Sequence, residues 1–218
     1  KMKFGTIIVT RSKSCHVKTL HTILRMNIAC IQHGHKNEIS FVTDDPYAKA
    51  KAIENHMKIC DRILFVDFGI SMDENSIAEV IKPHEDIGCL VFPGVVEGID
   101  WELFKDKVLK DVDEPKHQMG LNFDTTVGEE ISKDIYTVKN TSARAWIMNC
   151  ASVTETLKNP KNDRKFGVNM IPPRMDMMFL KFRENGIKIH AFTAAKLTMT
   201  YGHECISNIL NAAGVKAN

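Results

Sequence analysis

The chain has 218 residues, 44% of them hydrophobic, which is enough for one sizeable core. Its 29 lysines and arginines nearly balance its 27 aspartates and glutamates, so the net charge is +2. This balance gives no electrostatic reason to expect a nucleic-acid partner, and any phosphate-binding site has to be local.

Membrane and secretion signals are not found in the sequence. No stretch reaches the roughly 20 apolar residues of a membrane-spanning helix, and the apolar run at 7–9 is too short for a signal peptide. Six cysteines include no CxxC pair, and four of them (Cys30, Cys60, Cys89 and Cys150) lie in apolar stretches. We interpret these as reduced core residues and expect a cytoplasmic protein without a membrane span.

Strands and helices alternate over about the first 95 residues. Predicted strands cover 6–9, 38–43, 62–66 and 88–92, and predicted helices cover 15–33, 47–57 and a short stretch up to 81. The first helix is expected to bury one apolar face, made of Val17, Leu20, Ile23, Leu24 and Ile28. Pro46 is expected in the first turn of the second helix, with an Asp as its N-cap. Short connections of this kind predict right-handed crossovers and a parallel sheet.

The second half of the chain has a weaker pattern. A helix is predicted over 101–112, an excursion loop over 113–134 and a strand over 135–138. The stretch 142–157 predicts a strand and then a helix with Ser152 as N-cap and Glu155 three residues later. A loop over 159–170 is expected to be followed, after Pro172-Pro173, by a helix that ends at Gly186 and by a further strand.

Polar or turn-forming residues follow each of the first four strands. These are Thr10-Arg11, Asp44-Asp45, Asp67-Phe68-Gly69 and Pro93-Gly94. Ligands of open α/β sheets bind outside the carboxyl ends of the strands, so we expect a binding edge here. The sequence contains no GxGxxG, GxxxxGK[ST], HExxH or GxSxG pattern, which leaves dinucleotide and Walker-type loops unsupported.

This order of strand ends resembles the GT-A fold of nucleotide-sugar glycosyltransferases. Asp67-Phe68-Gly69 is similar to that family's DxD metal motif, and the stretch from Met175-Asp176 to Gly186 is similar to its acceptor-side motif. Within that fold, the chain most resembles the small sugar transferases that large DNA viruses encode to build capsid glycans. The resemblance implies one α/β domain over 1–218 with a mostly parallel central sheet flanked by helices. Its Rossmann-like nucleotide-binding half would be 1–95, and its acceptor-side half 96–218.

The resemblance implies a metal site at Asp67. A leaving diphosphate develops negative charge, and Mn²⁺ or Mg²⁺ would neutralise it through carboxylate and phosphate oxygens. Gly69 departs from the motif, so Asp73 is the second candidate acid, and Gly69 would let the diphosphate approach the backbone. His203 resembles the C-terminal histidine that completes such a metal site. His190 is its competitor, although a position inside a strand favours a packing role for His190. A simple turn at Asp67 is the alternative.

Other residues would hold the nucleotide-sugar. Thr10, Arg11, Phe68 and Gly69 match the family's donor site, and Asp44 lies where a carboxylate would bind the base or ribose, or else only forms a turn. Lys49 and Lys51 lie about where the family places a basic residue near the phosphates, and a solvated helix face is the equal alternative for Lys49. Trp146 would be a wall of the sugar pocket or, equally, a core residue.

Asp176 matches the family's catalytic base, which takes the proton of the acceptor hydroxyl in an inverting transfer. Its alternative is a helix-start acid. The sequence thus predicts a metal-dependent transferase that moves a sugar from a UDP-sugar, such as UDP-glucose, to a glycan or glycoprotein acceptor. The alternatives are a non-catalytic nucleotide-sugar binding module and a nucleotidyltransferase, and the latter would need a Gly-rich loop after the first strand.

Overall fold

The structure is a computed structural model that describes residues 1–159, 163–167 and 169–200. These residues form an eight-stranded sheet, a separate two-stranded sheet and helices that pack on both faces. The strands are β1 (Lys3–Thr10), β2 (Lys36–Thr43), β3 (Arg62–Val66), β4 (Ile70–Ser71), β5 (Cys89–Val91), β6 (Thr125–Ser132), β7 (Ile135–Thr141), β8 (Ala145–Asn149), β9 (Ile189–Phe192) and β10 (Thr198–Met199). The helices are α1 (Val17–Gln32), α2 (Pro46–Met57), α3 (Glu74–Ile81), α4 (Trp101–Leu109), α5 (Cys150–Thr156), α6 (Asp163–Phe166) and α7 (Met175–Glu184), with a 3₁₀ turn at Lys116–Gln118.

The large sheet has the strand order β2-β1-β3-β8-β5-β9-β7-β6. β1 is parallel to β2 and β3, and β5 is parallel to β9. β8 is antiparallel to both of its neighbours, and β7 is antiparallel to β6 and β9. In the described residues, all strands of this sheet except β7 and β8 therefore run in one direction. The predicted α/β class, with a mostly parallel central sheet flanked by helices, is confirmed.

Alternating residues of the central strands fill two separate cores, as the two-residue repeat of a strand requires. Phe65 and Trp146 face one core, which α2, α5 and α7 cover. Leu64 and Ile147 face the other core, which α1 and α3 cover. The central strands are therefore buried on both faces, and the loops at their ends are left to form a site.

The first half of the chain follows its prediction closely. β1, β2, β3 and β5 lie where strands are predicted, and α2 begins at Pro46. The Asp45 carboxylate accepts a hydrogen bond of 2.7 Å from the Ala48 N–H, so Asp45 is the predicted N-cap. This cap fixes the position of α2 immediately after the carboxyl end of β2.

The second half differs from its prediction in several places. The predicted loop over 113–134 contains β6, which forms an antiparallel pair with β7. The predicted loop over 159–170 contains the short helix α6. β8 lies between β3 and β5, so those two strands are not neighbours. α5 begins at Cys150, and Ser152 lies inside it instead of capping it. Periodicity identified β8 as a strand but could not specify which strands it pairs with.

The buried face of α1 is also not the predicted one. Of the five apolar residues expected inside, only Ile23 is buried, whereas Val17, Leu20, Leu24 and Ile28 are exposed. The residues that face the core are Thr19, Thr22, Ile23, Met26 and Cys30. Two threonines lie on this face because their hydroxyls bind the backbone near β4: Thr19 donates to Ile70 O, and Thr22 accepts from the Met72 N–H.

Two smaller expectations concern membrane helices and cysteines. Within 1–159, 163–167 and 169–200, the structure contains no helix whose length and apolar character would let it cross a bilayer. Cys30, Cys60, Cys89 and Cys150 are buried free thiols, as expected. Burial raises the pKa of the Cys30 thiol to about 11, so this residue is a packing group and not a reactive one.

Candidate functional site

The carboxyl ends of β1, β2 and β3 meet at one edge of the sheet. Thr10 pairs in register with Thr43, and Ile8 pairs with Val66. The residues that follow these strands therefore come together, as predicted for the binding edge. Arg144 joins them, because β8 runs antiparallel to β3 and begins where β3 ends.

Five charged side chains form a chain of ion pairs at this edge. The Asp44 carboxylate accepts from Arg11 Nε at 2.7 Å and from Lys49 Nζ at 2.9 Å. Lys49 Nζ lies 3.8 Å from Asp67 Oδ1, and Arg144 Nε lies 3.3 Å from Asp67 Oδ2. We call Arg11, Asp44, Lys49, Asp67 and Arg144 the charge cluster. Three positive groups face two negative ones, so the cluster carries an excess of one positive charge.

The charge cluster is largely shielded from water, except at Arg11. The Lys49 and Asp67 side chains are 12% and 13% exposed, whereas the Arg11 side chain is 60% exposed. Burial opposes ionisation of Asp44, but the hydrogen bonds from Lys49 and Arg11 outweigh it and lower the pKa of this carboxyl. Asp44 is therefore ionised at neutral pH and holds both cations in place.

Asp67 forms the turn that was the alternative to a metal site, and it also forms ion pairs. Its Oδ1 accepts from the Phe68 N–H at 2.8 Å, which is turn chemistry. Its Oδ2 pairs with Arg144, whose Nη2 also donates to Phe68 O at 2.9 Å. The same carboxylate thus ends β3 and anchors the charge cluster.

Gly69 is required by a neighbouring segment of the chain. Its φ is +77°, and a Cβ at this position would lie 2.7 Å from Thr200 O. The Thr200 N–H donates to Gly69 O at 2.8 Å, which continues the pairing of β10 with β4. The space on the Cβ side of Gly69 is therefore taken by the backbone of Thr200 and is not left for a diphosphate.

The loop between β1 and α1 is a tight turn that presents Arg11. Ser12 and Lys13 both have positive φ, 51° and 56°, which is uncommon for residues other than glycine. Arg11 lies over the Phe68 ring at 4.6 Å from its centroid. The Thr10 hydroxyl donates to Val42 O, so it joins two strands instead of pointing to the edge.

Two other predicted residues lie away from the charge cluster. Lys51 is exposed and forms no ion pair with another residue in the described ranges, and the lysine that reaches both carboxylates is Lys49. Asp73 precedes α3, where it accepts from the Ser76 hydroxyl and the Lys196 N–H, so it is already bound elsewhere.

Trp146 is a core residue. It is fully buried, stacks on Phe65 at 4.9 Å and meets Phe179 edge-on. The prediction of a sugar-pocket wall is corrected in favour of its alternative. A side chain without exposed surface cannot form the wall of an open pocket.

Asp176 lies in the first turn of α7, as predicted, and is partly exposed. Its carboxylate accepts from Arg174 Nε at 3.1 Å and also pairs with Arg174 Nη2. α7 and α2 cover the same core, and Phe68 also packs against that core. Asp176 and Phe68 are therefore on the same side of the sheet.

Of the two histidines that are candidate metal ligands, the structure describes only His190. His203 lies outside the described residues. His190 lies on β9, where it is half-buried and lines a cavity of about 750 Å³ together with Glu79, His84 and Lys188. We call this the amino-end cavity, because much of its lining precedes β5 and β9. The earlier interpretation of His190 as a packed strand residue holds only in part.

Arg144 and Asp124 are site residues that sequence reasoning missed. Asp124 Oδ1 accepts from the Gly94 N–H and the Thr125 hydroxyl, which ties together the two ends of the excursion between β5 and β6. Burial raises the pKa of Asp124, although Gly94, Thr125 and Arg144 oppose this shift. Antiparallel pairing of 145–149 with β3 would have placed Arg144 beside Asp67, but periodicity does not give strand order.

The described carboxylates do not form a ready metal centre. Within the described ranges, no group of three or more His, Cys, Asp or Glu side chains could hold a metal ion. Both oxygens of Asp67 already face donors, namely Phe68 and Lys49 on one side and Arg144 on the other. The residues described therefore do not fit a divalent cation at Asp67.

Comparisons with known proteins find similarity at the level of the fold. No protein-family model and no curated protein matches the sequence. The solved structure of GalNAc-T7 with UDP, GalNAc and Mn²⁺ matches 98% of this chain and 48% of its own, with 9% identity and a TM-score of 0.52. A mutant Drosophila β-1,4-galactosyltransferase 7, in complex with manganese, UDP-Gal and xylobiose, matches 92% of this chain and 71% of its own, with 10% identity and a TM-score of 0.48. The chain thus has a GT-A-like α/β fold and spans about half the length of the first of these proteins.

Proposed function

We propose that this protein is a glycosyltransferase that transfers a sugar from a nucleotide-sugar, a UDP-sugar, to a hydroxyl group of a glycan or glycoprotein acceptor. The observation that carries the proposal is the charge cluster at the carboxyl ends of β1, β2 and β3. This is the edge at which open α/β sheets bind ligands. The GT-A-like fold supports it, since GalNAc-T7 has the same fold and was solved with UDP.

The charge cluster suits a diphosphate. Its excess positive charge is concentrated in Lys49, Arg144 and the exposed Arg11. Guanidinium groups donate hydrogen bonds in a planar fork that matches phosphate oxygens, and a partly buried lysine supplies a strong local charge. Asp44 and Asp67 would hold these three cations in position before the donor arrives.

The transfer itself would need a base. The acceptor oxygen forms a bond to the anomeric carbon of the sugar, while the bond from that carbon to the β-phosphate oxygen breaks. The electron pair of the broken bond leaves with UDP, and the proton of the acceptor hydroxyl goes to a carboxylate. We propose Asp176 as that carboxylate in an inverting transfer, because it is partly exposed and lies on the side of the sheet where Phe68 packs.

A metal ion is part of the family resemblance, and both similar structures contain manganese. The described residues of this chain do not fit such an ion, and His203, the predicted second ligand, lies outside them. Each step above is therefore assigned to side chains of the protein alone.

A non-catalytic nucleotide-sugar binding module is the second candidate. The departure of Asp67-Phe68-Gly69 from the DxD pattern favours it, as does the pairing of Asp176 with Arg174. A nucleotidyltransferase is less well supported, because the loop after β1 is a tight turn at Ser12 and Lys13 instead of a Gly-rich loop.

Donor binding and donor hydrolysis separate these candidates. UDP would first be titrated calorimetrically into the protein. Release of UDP from UDP-glucose, UDP-galactose, UDP-N-acetylglucosamine and UDP-N-acetylgalactosamine would then be followed without an acceptor. A transferase is expected to bind UDP and to release it slowly from one donor of the panel. Binding without any hydrolysis would indicate the binding module, and absence of UDP binding would overturn both proposals.

A further inference from the structure

A divalent cation in a sugar-nucleotide site needs hard oxygen ligands with free lone pairs. Mg²⁺ and Mn²⁺ take carboxylate and phosphate oxygens, and ionised carboxylates give the protein its charge complementarity to the metal. The question at this edge is therefore whether any carboxylate is free to bind a cation.

Asp67 is already compensated by cations of the protein. Arg144 Nε lies 3.3 Å from its Oδ2, and Lys49 Nζ lies 3.8 Å from its Oδ1. The Phe68 N–H donates to the same Oδ1 at 2.8 Å. A divalent ion bound here would lie within a few ångströms of two positive groups in a site that water reaches poorly, where repulsion between like charges is strong.

Neither neighbouring carboxylate completes a metal site. Asp44 binds Arg11 and Lys49. Asp124 Oδ2 is buried and has no hydrogen-bond partner in the described part of the chain, so it is one oxygen that a cation could meet. A single such oxygen is not a metal site, and the described residues contain no group of three or more His, Cys, Asp or Glu side chains that could hold a metal ion.

We propose that this site binds the diphosphate of its donor without a divalent cation, and that Lys49 and Arg144 supply the positive charge. This inference rests on the proposed function. The three cations of the cluster outnumber its two carboxylates, so a diphosphate meets an attractive field without added metal. Asp44 and Asp67 act as positioning residues that hold the ammonium and guanidinium groups.

The test is calorimetric titration of UDP into the 218-residue protein, once with EDTA and once with MnCl₂. The dissociation constant is expected to agree within about 3-fold between the two conditions. It is expected to rise only moderately with added salt, because Lys49 and Arg144 are largely shielded from water and only Arg11 is well exposed. Electron paramagnetic resonance of Mn²⁺ in the absence of UDP gives an independent readout and is expected to show no tight site.

Two variants test whether Lys49 supplies positive charge that binds UDP. Lys49→Met should weaken UDP binding by roughly 10-fold or more in both conditions, since it removes one buried charge-assisted contact. Lys58→Met removes a charge from an exposed lysine at the end of the same helix and is the control that should leave the affinity unchanged. If Lys49→Met does not fold, Lys49→Arg keeps the charge and should bind UDP within a few-fold of the original protein in EDTA.

The outcomes distinguish this inference from the proposed function. UDP binding that needs MnCl₂ would overturn the metal-free inference and leave the glycosyltransferase proposal standing. Absence of UDP binding under both conditions would overturn both. Equal affinity in EDTA and MnCl₂, together with loss on Lys49→Met but not on Lys58→Met, would support the inference.

Discussion

At the scale of single residues, Asp67 shows how a buried strand can end in an acid. Its carboxylate binds the next backbone N–H, and Lys49 and Arg144 compensate its charge. A largely buried carboxylate without such partners would be costly. The sequence predicted a metal ion or a simple turn at this strand end, and the structure shows the turn together with two cations of the chain itself.

Asp176 carries the catalytic part of the proposal. Asp176→Asn keeps the size of the side chain but removes its capacity to accept a proton, so turnover of the donor should fall by roughly 10²-fold or more. UDP affinity and melting temperature should change little, because the residue is partly exposed and its ion pair is with Arg174, which is not a member of the charge cluster. Turnover is measured by transfer to an acceptor or by UDP release. A variant with turnover within a few-fold of the original would mean that another group is the base.

Gly69 tests the close approach of Thr200. Gly69→Ala combines a strained φ of +77° with a Cβ only 2.7 Å from Thr200 O, and should destabilise the fold by about 1–3 kcal/mol. Gly34→Ala is the matched control, since Gly34 has a φ of +68° and open space around its Cβ position. Urea unfolding of the two variants measures the difference. Equal losses of stability would show that backbone strain alone explains the glycine at 69.

At the scale of elements, α1 shows where periodicity fails. Val17, Leu20, Leu24 and Ile28 share one face of the helix, which is what a core-facing stripe looks like. The structure turns this face outward, because Thr19 and Thr22 have to reach the backbone of the β4 segment. Hydrogen bonds to a distant strand leave no trace in a hydrophobicity pattern.

Two adjacent residues of α1 test its orientation. Ile23 is 5% exposed and Leu24 is 53% exposed. Ile23→Ala should cost about 2–5 kcal/mol of unfolding free energy, whereas Leu24→Ala should stay within about 0.5 kcal/mol of the original protein. Both values come from urea or thermal unfolding. A larger loss for Leu24→Ala would restore the predicted face and refute the orientation of the helix.

At the scale of the whole molecule, strand order decided how much of the site could be predicted. The sequence located Arg11, Asp44 and Asp67 because each follows a strand with a clear pattern and parallel strand ends meet at one edge. It missed Arg144, because β8 is inserted between β3 and β5 in the antiparallel direction. It also left Trp146 open between the sugar pocket and the core, and the pairing of β8 with β3 stacks this residue on Phe65 inside the core.

The central claim is that the carboxyl edge of β1, β2 and β3 binds a nucleotide diphosphate. The most direct measurement is an NMR titration of the isotope-labelled protein with UDP, which reports perturbed backbone amides residue by residue. The account predicts that the largest shifts cluster at 10–16, 44–49, 67–69 and 144. Shifts confined to the amino-end cavity around His84 and His190, or no shifts at all, would contradict it.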